Sequence, residues 1–143
     1  MFGPDREALM QFVRRHRVHY DVVPEAVVGP KGRANVGFEL RLFAVHEKGA
    51  HATPGCPKCI ALVEPLRELA RCVMPTEERP TLIQIEPFGR ALYDSTVVPG
   101  ADEVAIAVRL THRGRYDRPV DACEERCLKE IRGRLKILGV AER

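Results

Sequence analysis

Residues 35–45 alternate so regularly that little choice of local structure remains. Val36, Phe38, Leu40, Leu42 and Ala44 fall on one side of an extended chain, and Glu39 and Arg41 fall on the other. That period of two is the mark of a strand with one apolar face. Phe43 and Val45 interrupt the polar side, so the far end of the strand is expected to be buried on both faces. A strand of this kind must be paired along its edges and covered on its apolar face, and the rest of the chain is read for what supplies both.

A second strong alternation runs over residues 103–111, where Val104, Ile106, Val108 and Leu110 oppose Ala105, Ala107, Arg109 and Thr111. Weaker alternation marks strands from Val18 through Tyr20 and Val22, over 81–86 and over 91–97. Three stretches repeat instead at helical spacing. Residues 5–17 place Leu9, Phe12, Val13 and His16 together. Residues 57–73 place Leu62, Leu66, Leu69 and Val73 together, with a kink or restart expected at Pro65. Residues 120–138 carry the favourable four-residue pairs Glu125–Lys129 and Glu130–Arg134, and Gly139 is placed to stop the helix. Short links between successive strands favour hairpins. The expected fold is α+β: a mostly antiparallel five-stranded sheet with three helices, in the order α-β-β-α-β-β-β-α.

At 143 residues the chain is the size of one ordinary domain, here 1–143, able to bury a core without staples. No apolar run approaches the roughly 18 residues of a membrane span, and the opening residues lack a secretory pattern. A cytoplasmic protein is expected, with no membrane partner. Its partner is unknown from sequence, a protein or a second copy of the chain being the open options. A net charge of only +3 argues against nucleic acid. A weak nucleic-acid-binding module stays as a third reading, because Tyr20 lies near Arg14–Arg17 and Tyr116 lies among Arg113, Arg115 and Arg118.

The chemistry is concentrated in cysteine. Cys56 and Cys59 form a Cys-x-x-Cys pair just where the second helix begins, with Lys58 between them. A helix N-terminus and a nearby cation both favour thiolate, the form that binds soft metals and attacks disulfides. Far downstream, Cys123 and Cys127 form a Cys-x-x-x-Cys pair at another helix start. Together the four supply the donor set of a closed, structural zinc site, with His46 and His51 as substitute ligands. The leading expectation is therefore a zinc-binding interaction or regulatory module on Cys56, Cys59, Cys123 and Cys127. Core packing is the competing account of the second pair, since Cys123 and Cys127 continue the apolar stripe of Ile131, Leu135 and Leu138. The lone Cys72 reads as a packing residue. Only Ser95 is available as a serine nucleophile, with no elbow motif around it, and Gly29-Pro30-Lys31-Gly32-Arg33 lacks the spacing of a phosphate loop.

The segment Thr53-Pro54-Gly55-Cys56-Pro57-Lys58-Cys59, preceded by a strand and followed by a proline-bearing helix, resembles the active-site turn of glutaredoxins and related thioredoxin-fold proteins. The resemblance covers roughly twenty residues. It implies a thiol-disulfide oxidoreductase with Cys56 as nucleophile and Cys59 as resolving thiol.

Overall fold

The computed structural model describes residues 6–29, 32–45, 57–74, 81–86, 103–112 and 122–143; of these, 25–29, 33–36, 59, 81–86, 109–112 and 122–124 are described by backbone alone. Within them lie three helices, α1 (Arg6–Arg15), α2 (Pro57–Val73) and α3 (Ala122–Ile137). The strands are β1 (His19–Gly29), β2 (Gly32–Val45), β3 (Thr81–Glu86), β4 (Glu103–His112) and the two-residue β5 (Ala141–Glu142). The lateral order is β3-β4-β2-β1-β5.

The α+β class and the three helices agree with the sequence reading, but the sheet does not. Four full strands are antiparallel to their neighbours, while the fifth position is filled by β5, which pairs parallel to β1 through His19–Ala141 and Tyr20–Glu142. The sheet is thus mixed rather than a set of five hairpin-linked strands, and the order of the described elements is α-β-β-α-β-β-α-β. The expected strand over 91–97 lies outside the described residues. Two residues carry too little alternation to be read as a strand, and β5 exists because the backbone N–H of Arg143 finds the carbonyl of Tyr20 at 2.6 Å.

The helices share one face of the sheet. Tyr20, Leu40, Leu42, Val104 and Ile106 project from it, beside Val18 just before β1, into a single core with Leu9 and Val13 of α1, Leu62, Leu66 and Leu69 of α2, and Cys127, Ile131 and Leu135 of α3. Helix α2 starts on Pro57, whose missing N–H costs nothing in a first turn, and it runs through Pro65 without a restart. Beyond its C-terminus, the Arg134 guanidinium donates to the carbonyls of Val73 and Met74 at 3.4 and 2.5 Å. These are acceptors the helix leaves open, and the bonds fasten α3 to α2.

Helix α3 stops at Gly139 as its sequence suggests. Gly139 has φ of 84°, its N–H reaches Lys136 O at 3.1 Å, and that of Val140 reaches Leu135 O at 2.9 Å. This is a Schellman cap, in which Val140 and Leu135 are both buried. Helix α1 ends in a related way, with Val18 N–H bonded to Val13 O at 3.0 Å. The left-handed residue there is Arg17, with φ of 47°, a conformation a side chain disfavours. It turns the Arg17 carbonyl toward His19.

Candidate functional site: a cleft beside α3 and a charged sheet face

All three buried charged residues among those described, Glu39, Arg41 and Glu103, lie on the sheet face away from the helices. On β2, residues two apart share a face, so Arg41 reaches back to Glu39, with Nε at 3.2 Å from Oε1. Next along that face Phe43 is 1 % exposed and packs against Ala105 of the neighbouring strand. Two-sided burial of this end of the strand agrees with the break in its polar pattern.

Around Phe43 a second charged group closes the edge of the sheet. His19 stacks on its ring at 5.2 Å between centroids, and the Arg143 guanidinium carbon sits 4.8 Å from the same centroid. Glu103 receives His19 Nε2 at 2.5 Å and lies 3.7 Å from Arg143. His19 Nδ1 faces the Arg17 carbonyl at 2.9 Å. Each ring nitrogen therefore faces an oxygen, which fixes the ring between the end of α1 and β4. The cluster is a clamp joining β1, β4 and the C-terminal segment. His16, just past the same end of α1, has a comparable role, its Nδ1 donating to Val45 O at 3.1 Å.

Among the described residues a concavity lies on the helix side of the sheet. Val22 and Pro24 of β1, Phe38 of β2 and Leu128 of α3 line a cleft of about 460 Å³, rimmed by Glu125, Lys129 and Arg132. The register explains the wall: Val22 pairs with Leu40 and Pro24 with Phe38, which puts these residues on the core face. Beyond Tyr20, β5 no longer covers the outer edge of β1, so Pro24 stands where a strand tolerates a missing N–H. On α3, residues 125, 128, 129 and 132 recur at helical spacing and look into the cleft together. Arg132 is partly committed, donating to Glu142 at 3.0 Å. Lys129 is exposed and forms no ion pair among the described residues, and the expected Glu125–Lys129 pair is not made.

Tyr20 lies under this rim, 5 % exposed. Burial pushes its phenol above the ordinary value of 10.0, and the Glu142 carboxylate pushes the same way, opposed by the charge and hydrogen bond of Arg132. The folded chain therefore keeps this proton to a higher pH than the unfolded chain does. Below pH 10 Tyr20 is protonated in both states and contributes no slope; above it, the unfolded chain binds fewer protons and stability falls as pH rises. Denaturant titrations between pH 9 and 11 should show that fall, and it should be shallower in Tyr20→Phe.

The cysteine expectations need correction. Cys127 is fully buried, in the core with Ile131, Leu135 and Leu138, so the apolar stripe and not a ligand set explains it. No group of three or more His, Cys, Asp and Glu suited to a metal occurs among the described residues. Cys56, His46 and His51 lie outside the described residues, and Cys59 and Cys123 are placed only by their backbones, in the first turns of α2 and α3. The function read from these thiols, a closed zinc site that includes Cys127, is thereby overturned, because Cys127 is spent on the core; the side chains of Cys56, Cys59 and Cys123 lie outside what the structure describes.

The oxidoreductase alternative loses its setting as well. Strand β2, which precedes the Cys56/Cys59 turn, has antiparallel neighbours on both sides, so no pair of adjacent parallel strands frames the turn. Cys72 and Cys127 are not in disulfides; Cys72 is half-buried against the core, as its position beside Leu69 and Val73 suggests. The nucleic-acid reading fails on Tyr20, which is buried in the core and presents no face for a base; Tyr116 and its arginines lie outside the described residues. No helix among the described residues is long and apolar enough to cross a membrane. Comparison with known families, with curated proteins and with solved structures finds no match to this chain.

Proposed function

We propose that this protein is a binding domain for a small amphipathic molecule, held in the cleft between the β1–β2 ribbon and α3. One observation carries the reading: an apolar floor of Val22, Pro24, Phe38 and Leu128 opens directly beneath a charged lip. Its volume of about 460 Å³ is within the range in which small-molecule sites fall, and an apolar lining with a few placed polar groups is their usual composition. The buried charged groups elsewhere among the described residues are paired. Glu39 is spent on Arg41, and His19 and Arg143 on Glu103, whereas the cleft keeps apolar surface accessible.

The test is fluorescence titration with 8-anilinonaphthalene-1-sulfonate, a probe with an apolar body and an anionic head. The expected result is saturable binding at one site per chain, weakened at least tenfold in Val22→Glu, a half-buried floor position, with the far-ultraviolet spectrum unchanged. Unsaturable binding, or equal binding by the variant, would overturn the reading.

A further inference from the structure

We infer that the molecule held in the cleft is a free carboxylate bearing an unbranched apolar chain, with its head at Lys129 and Arg132 and its chain over Phe38 and Leu128. This rests on the cleft being a binding site and goes on to name the class of ligand.

The rim is not uniform in charge. Lys129 and Arg132 are three apart on α3 and so are neighbours on the helix surface. Arg132 spends part of its guanidinium on Glu142 at 3.0 Å and also meets the Tyr20 phenol. A guanidinium has five N–H donors in a planar fork, so donors remain for a second oxygen. Lys129 has no carboxylate within ion-pair reach among the described residues. An anion between the two side chains would receive a charge-assisted bond from each. Glu125, the other charged rim residue among those described, lies a turn away from Lys129 toward the start of α3. It repels an anionic head from that end and so fixes the direction in which the ligand lies.

The apolar part follows from the floor. Val22 and Phe38 are half-buried and Leu128 is buried, and none presents a side-chain hydrogen-bonding group. Polar substituents along the ligand would lose water there without replacement, whereas each methylene covered gains roughly two- to fourfold in affinity. A cleft set between a helix and a strand pair suits a dissolved molecule, and the proposal is committed to that source.

The experiment is calorimetric titration of the full chain with decanoate, decanol and decyltrimethylammonium, each below its micellar concentration, beside octanoate and vesicles of phosphatidylglycerol. The proposal expects decanoate to bind one per chain, at least tenfold tighter than the alcohol or the cation and about tenfold tighter than octanoate. In Lys129→Glu, an exposed position that the fold tolerates, decanoate affinity should fall tenfold or more while the cation gains. Equal binding of all three decyl compounds would overturn the carboxylate class and leave the cleft as a site. Preference for the cation would place the head at Glu125 and overturn the proposal. Vesicle binding unaffected by Lys129→Glu would overturn the dissolved source. If none of the decyl compounds binds and the sulfonate probe also fails, the cleft reading falls with it.

Discussion

An Arg41→Leu variant is expected to lose about 3 kcal/mol of unfolding free energy, a loss that breaking one side of a buried ion pair commonly causes. Arg41 and Glu39 are each about nine-tenths buried and lie 3.2 Å apart. Removing the guanidinium leaves a carboxylate in a place water hardly reaches, with its main partner gone. The double variant Glu39→Leu, Arg41→Leu removes both charges, and with them the cost of holding either away from water. It should recover most of the loss, to within about 1 kcal/mol of the parent. Urea titration of the parent, both single variants and the double variant would measure this as a coupling. If the two single losses simply add in the double variant, the pair is not the closed unit described.

The second large effect concerns Cys127. As a core residue with no accessible surface, it should accept valine at a cost below about 1.5 kcal/mol, since the substitution stays apolar and near in volume. Aspartate there should cost about 4 kcal/mol or more, because a carboxylate would be buried among leucine and isoleucine. Both outcomes should be the same with and without a strong chelator. Thermal denaturation of the two variants with and without chelator checks this. A parent that the chelator destabilises to the level of the valine variant, while the variant itself is unmoved by chelator, would restore a ligand role for the thiol.

Cys127 also shows where reading the sequence succeeds and where it stops. The stripe of Cys127, Ile131, Leu135 and Leu138 is visible as helical spacing, and core burial follows from it. A metal centre, by contrast, needs groups far apart in the chain to converge, and spacing alone is silent on convergence. The long strands were legible for the same local reason: Leu40, Leu42 and Ala44, or Val104, Ile106 and Val108, announce the core face by parity. The Gly139 stop was legible because a left-handed cap has a residue preference. Three things were not. The two-residue β5 is defined by its partner and not by its own pattern. The clamp joins His19, Glu103 and Arg143 across some 120 residues of chain, with no motif to link them. The cleft is a place where β1 outruns β5, and only Pro24 hinted at it, as a proline that a central strand would not hold.

The central claim is that the cleft beside α3 is the binding site, and the most direct measurement is amide chemical-shift mapping of isotope-labelled protein during titration with decanoate. The account predicts progressive, saturable shifts concentrated at residues 22, 23, 38 and 125–132, with the amides of α1 unmoved. Shifts centred instead on His19, Phe43 and Glu103, or spread evenly over the chain, would contradict it.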